Sequence, residues 1–284
     1  MLHKQTNNRL GLLAVFAAAS GLMGNANANP SDSISEKRLF DYIEVLASDE
    51  FEGRLPGTAG GKKTETYLAD LWRSFGVQPA NDGSFFQEVR LTGVKQVSVS
   101  DAVFERGDGE LVLESLKDLV VSGPRISEAA RLVDSEVVFV GYGISAPEYG
   151  WDDYASVDVH GKTVIALWGD PGIHTAGEGP GLFKGAAATI HAMSTFKAEQ
   201  AARHGAAGIL LVHDESLAGW PWEVAIQGPP GVKYKIAAPQ EPTPAPEIGG
   251  MMSKDAAAKL FAFAGEDLNE LTVSARQRNF RPVA

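Results

Sequence analysis

EVVFVGYGISAPEYGWDDYASVDVHGKTVIALWGDPG, residues 136–172, decides how this chain is read. It holds two β-type apolar runs, 137–140 and 163–168, with Gly, Pro and Asp clusters between them that mark turns. Working outward, 87–91, 97–104, 111–113 and 208–212 have the same short β texture. Together these runs predict a β-rich domain from Phe86 onward. Within it, STFKAEQAAR (194–203) has good helix formers, a Ser cap and a stop at Gly205, and GAAGILLVHDE after it reads as turn and buried strand. A last helix is predicted over 253–264 with a stop at Gly265. Four prolines in AAPQEPTPAPEIGG (237–250) favour extended, unpaired backbone, so this segment reads as a surface loop.

The texture before residue 86 is helical. Ser33-Ile34-Ser35-Glu36 has the pattern of a capping box, with Ser33 at the cap. Leu39, Tyr42, Ile43, Leu46 and Ala47 then form one apolar stripe over 35–48. SDEFEGRLPGTAGG (48–61) reads as a loop, and Tyr67, Leu68, Leu71, Trp72 and Phe75 mark a second helix that stops at Gly76. Two helices and a loop bury too little surface to stand alone, so residues 30–85 are expected to dock on something larger. The fold class predicted is α+β, a helical segment followed by a β-rich domain over 86–284.

The first 28 residues stand apart. His3, Lys4 and Arg9 precede an apolar run from Leu10 to Ala19 that leads to Ala26-Asn27-Ala28, the order of a cleaved secretory leader, and the run is shorter than the roughly 20 residues of a bilayer helix. The formal net charge is −11, and it becomes two units more negative when Lys4 and Arg9 leave with the leader. Such a chain is a poor partner for nucleic acid or anionic membrane. With no cysteine it has neither disulfides nor a lipid-attachment thiol, and a periplasmic or secreted location is expected after cleavage at Ala28.

The histidines beyond the leader, His160, His174, His191, His204 and His213, form no His-x-Asp or His-x-x-x-His pair. Adjacent residues on a strand face opposite sides, so His213 and Asp214 cannot easily grip one ion, and His213 is expected at a strand end under solvent. His204 suits a helix carboxyl end. Asp152-Asp153 reads as a solvated turn, with a calcium site completed by Glu148 as the alternative. Gly141-Tyr142-Gly143 lacks a dinucleotide fingerprint, GRLPGTAGGKK lacks a phosphate-loop order, and no Gly-x-Ser-x-Gly elbow occurs. Trp220-Pro221-Trp222 could be core or could line a cleft. No catalytic, cofactor-binding or metal residue is assigned within this chain.

The block VFVGYGISAPEYGWDDYASVDVHGKTVIALWGDPG, with FKG at 183–185 and EQAARHGAAGILLVHD at 199–214, resembles a protease-associated domain. The earlier LASDEFEGRLPGTAGGKKTETYLADLWRSFGVQPA (46–80) resembles the opening of secreted bacterial zinc aminopeptidases that carry such a domain as an insertion, relatives of glutamate carboxypeptidase and the transferrin receptor. The resemblance implies that the early helices pack on a catalytic α/β/α domain beyond Ala284, near whose cleft Arg54, Gly57 and Thr58 would lie. That domain would bind two zinc ions and hydrolyse amino-terminal residues from peptides, so these 284 residues are expected to be inactive alone. The rival reading is a non-catalytic module that binds peptides or a partner protein, and a third is a scaffold that dimerises through the apolar helices.

Overall fold

In a computed structural model, the structure describes residues 34–175, 182–185, 187–227, 231–237 and 243–284. The expected leader and Ser33 lie outside them. The chain divides into two compact units, Met1–Glu88 and Val89–Ala284.

In the first unit, α1 (Glu36–Ala47) is followed by a 3₁₀ segment (Asp49–Arg54) and α2 (Ala59–Ser74). The cap of α1 is Ser35, whose extended backbone lets its side chain accept from the Arg38 N–H at 3.3 Å. This corrects the expected box. Glu36 is the first helical residue and not the third, so it cannot reach back to the cap. No residue of α1 is buried, and Leu39 and Ile43 of its apolar stripe are more than half exposed. Thr58 caps α2 by accepting from Gly61 N at 3.2 Å. A Cβ on Gly60 would lie 2.2 Å from the Phe51 carbonyl oxygen, so glycine is what lets the 3₁₀ segment lie against α2. Phe51 is buried there, edge-on to Tyr67 at 5.8 Å.

The second unit runs β1 (Leu91–Val94), β2 (Ala102–Arg106), β3 (Gly109–Leu113), β4 (Leu119–Ser122), β5 (Val137–Phe139), β6 (Ser145–Ala146), β7 (Trp151–Asp152) and β8 (Thr163–Leu167). It continues through α3 (Ser194–Arg203), β9 (Gly208–His213), α4 (Glu215–Ala218), α5 (Trp222–Ile226), β10 (Lys233–Ile236), β11 (Ile248–Ser253), α6 (Lys254–Ala264) and α7 (Leu268–Ser274). Five strands form one sheet in the order β4-β11-β9-β8-β5, parallel except for the antiparallel edge strand β4. Short antiparallel pairs β1-β10, β2-β3 and β6-β7 surround it. The architecture is α+β, with mixed strands and helices.

The long apolar runs of β8 and β9 are buried at every position because both sheet faces are covered. Val138, Val164, Ala166, Ile209 and Leu211 share a core cluster with Ala201 of α3 and with Tyr154. Phe139, Ile165, Leu210, Val212 and Met252 belong to another with Leu260 and Phe261 of α6. At the β5 edge, Phe139 and Val283 exchange backbone hydrogen bonds of 2.7 and 3.0 Å.

Several local expectations change. The runs at 87–91 and 97–104 become strands at 91–94 and 102–106. The segment expected to be a surface loop over 237–250 ends inside β11, an interior strand. A Cβ on Gly250 would sit 2.2 Å from the Val120 carbonyl oxygen, so close approach to β4 requires the glycine that made the segment look like a loop. Met193, not Ser194, precedes α3 and caps it without a side-chain bond.

Candidate functional site

The glycines at 141 and 143 both have left-handed φ, 67° and 64°, and they turn the chain sharply after β5. The turn is fixed to β8 by the bonds Val140 N to Ile165 O at 3.0 Å and Leu167 N to Gly141 O at 2.8 Å. Tyr142 therefore sits at the carboxyl ends of the parallel strands. There it lines a cleft of about 160 Å³ with Leu167, Trp168 and Val212 from the strand ends and Leu268, Val273 and Arg276 from α7 and the residues after it.

Tyr142 is 1% exposed, and its hydroxyl has no hydrogen-bond partner among the described residues. Burial pushes its pKa up to about 12, opposed by the positive charge of Arg276 beside it. The guanidinium acts on the hydroxyl through its charge and through a hydrogen-bonding approach that falls short of a well-formed bond. Arg276 Nε is likewise buried and unpartnered. Each unmet buried donor costs on the order of 1–3 kcal/mol. At the same cleft Lys254 is matched by Asp214 at 2.7 Å.

Beneath Tyr142 lies a buried charge network. Lys197 of α3, 1% exposed, donates to the Tyr142 carbonyl oxygen and stands over the Tyr142 ring at 5.6 Å. Asp153 accepts from Ile144 N at 3.0 Å and Trp151 Nε1 at 2.8 Å. Asp170 accepts from Gly172 N at 2.9 Å and Thr189 Oγ1 at 3.1 Å. Burial lowers the Lys197 pKa, while the negative charges of Asp153 and Asp170 oppose the shift. Burial also raises that of Asp153, against its hydrogen bonds and the charge of Lys197.

The reading of Asp152-Asp153 as a solvated turn is therefore half wrong. Asp152 is exposed and accepts from Tyr154 N at 2.9 Å, but Asp153 is buried because the Trp151 indole and the Ile144 amide replace its water. Glu148 meets His191 Nε2 at 2.7 Å, away from a shared site with the two aspartates. His191 is buried among the rings of Tyr149, Phe183 and Phe196, at 5.9, 5.6 and 5.2 Å.

His213 ends β9 as expected, but its exposure is corrected. It is 1% exposed, not under solvent, because Trp220, Trp222 and Trp168 cover it with ring centroids at 4.2, 5.5 and 5.8 Å. Asp214 diverges from it to cap α4 through Ser216 N at 3.0 Å. His204 caps the end of α3 and stacks on Tyr154 at 4.1 Å. In the first unit, Arg54 donates to the Leu46 carbonyl oxygen, tying the loop back to α1.

The zinc pair that the family resemblance implies does not fit the residues described. His213 is enclosed by tryptophans, His191 is engaged by Glu148, and the Asp153 oxygens are taken by N–H donors. Among the described residues no three His, Asp or Glu side chains are grouped to hold a metal ion. Among them, too, no helix is long and apolar enough to cross a membrane.

Sequence reading missed Tyr142, Lys197 and Arg276. Lys197 carried a signal, since it lies four residues before Ala201 on the buried face of α3. Arg276 carried none.

No protein-family model matches the chain, and no curated protein matches it. Among solved structures, an aminopeptidase from Aneurinibacillus sp. strain AM-1 is similar with a TM-score of 0.32 and 13% identity, over 81% of this chain and 42% of that one. The present chain thus spans less than half the length of that protein, and a likeness this distant assigns no activity.

Proposed function

We propose that these residues are the amino-terminal and protease-associated portion of an exported zinc-dependent aminopeptidase, which removes amino-terminal residues from peptides. In this reading a separate dizinc unit performs the hydrolysis, the second unit of this chain is the protease-associated domain, and the protein works in the periplasm or outside the cell. Neither nucleic acid nor membrane is a partner of the processed protein.

The observation that carries the proposal is α1. Its apolar stripe meets the end of α2 where Tyr42 lies edge-on to Phe75 at 6.2 Å, but none of its residues is buried, and Leu39 and Ile43 stay more than half exposed, so the open part of the stripe calls for a partner surface. Its place directly before the block at 46–80 supports a catalytic unit of the same family as that surface. The test is the reading frame after the codon for Ala284. A His-x-Asp motif followed by a Glu-Glu pair is expected, and a frame carrying neither overturns the proposal in favour of the non-catalytic binding module.

A further inference from the structure

We infer that the cleft between the ends of β8 and β9 and helix α7 binds a small carboxylate with a short apolar substituent, through Arg276 and Tyr142. Crevices at the carboxyl ends of parallel strands are where open sheets hold ligands, and this cleft is built there from Leu167, Trp168 and Val212. Its polar groups are unbalanced in one direction. Lys254 is neutralised by Asp214 at 2.7 Å, whereas Arg276 takes part in no ion pair among the described residues and its Nε is buried and unpartnered. The Tyr142 hydroxyl, 1% exposed, has no well-formed partner among the described residues either, its polar neighbour being Arg276 itself.

Two unsatisfied donors, one of them cationic, call for an anion that accepts without donating. A planar carboxylate suits a guanidinium better than a spherical or tetrahedral ion does. Leu217, Leu268 and Val273 give the rest of the wall its apolar part, with Asn269 and Thr272 between them. At about 160 Å³ the cleft is smaller than the roughly 300–1,000 Å³ of pockets for drug-sized molecules, which limits the ligand to a branched short-chain acid or the last residue of a peptide. This inference concerns the second unit alone and stands whether or not the chain belongs to an aminopeptidase.

The experiment is calorimetry, with tryptophan fluorescence as a second readout, on the full 284-residue chain. Isovalerate is compared with isovaleramide and inorganic phosphate, and the dipeptide Ala-Leu with its amide. Isovalerate or Ala-Leu is expected to bind at least tenfold more tightly than its own amide and than phosphate, with Arg276→Gln weakening binding about tenfold and Tyr142→Phe several-fold. Tighter binding of Ala-Leu than of isovalerate assigns the ligand to peptide carboxyl termini, and the reverse assigns it to free acids. Equal binding of acid and amide, preference for phosphate, no carboxylate binding at about 10 mM, or an Arg276→Gln chain that is folded by circular dichroism and binds unchanged would each overturn the inference.

Discussion

Lys197 Nζ donates to the carbonyl oxygen of Tyr142, fastening a helix on one face of the sheet to the turn that follows β5. The ammonium is also the counter-charge felt by the buried Asp153. Replacing it with methionine keeps the apolar stem but leaves the Tyr142 carbonyl without its donor and removes the positive charge that opposes the upward shift of Asp153. Lys197→Met should cost about 1–3 kcal/mol, the range for leaving a buried acceptor unsatisfied. Urea unfolding would measure it, and adding Asp153→Asn should recover part of the loss. Equal losses in the single and double variants would separate the two residues.

Gly250 gives a steric prediction. Its absent side chain lets β11 lie against the Val120 carbonyl at the β4 edge. Gly250→Ala should destabilise the chain by about 1–3 kcal/mol or more, read as a lower denaturation midpoint. An alanine variant as stable as the parent would mean that the strands can part freely.

His213 sets a pH dependence. Burial holds its pKa below the ordinary value, with Glu215 and Asp214 opposing weakly. A depressed value means that the unfolded chain takes up a proton more readily than the folded one. The contribution to stability is complete above the ordinary histidine range and declines as pH falls through it toward the lowered folded value. Thermal unfolding from pH 8 to pH 5 should show this decline, and His213→Gln should flatten it. An unchanged slope in the variant would place the effect elsewhere.

The exposed stripe of α1 predicts tolerance. Ile43→Glu should change stability by no more than about 0.5 kcal/mol and should reduce the binding of a hydrophobic dye. A large loss of stability would show that the stripe is already covered within the chain.

If hydrolysis belongs to a separate dizinc unit, as proposed, purified 284-residue chain supplied with zinc should release no product from a leucyl anilide. Release abolished by EDTA would contradict this.

Much of the fold was legible where periodicity and burial agree. The runs 163–168 and 208–212 read as strands because buried parallel strands are apolar throughout. The stripe at Leu39 and Ile43 read as an unpartnered helix face for the same reason in reverse. β11 escaped because Gly250 answers to a neighbouring strand, which no local pattern records. Asp153 and His213 were misplaced although their cover is near in sequence, Trp151 for one and Trp220 with Trp222 for the other, because a polar residue in a turn gives no sign of which way its aromatic neighbours fold. Tyr142 and Arg276 lie more than a hundred residues apart, so sequence alone could not join them in one cleft.

The position of β11 has a consequence for synthesis. As the chain leaves the ribosome, β4 emerges long before the strand that must lie beside it, and β9 waits with an open edge on the same side. Pairings of such sequence separation slow folding, and unpaired edges invite aggregation. The second unit can complete its sheet only after Ser253 has emerged, so a nascent chain halted before that point should be the form most in need of a chaperone.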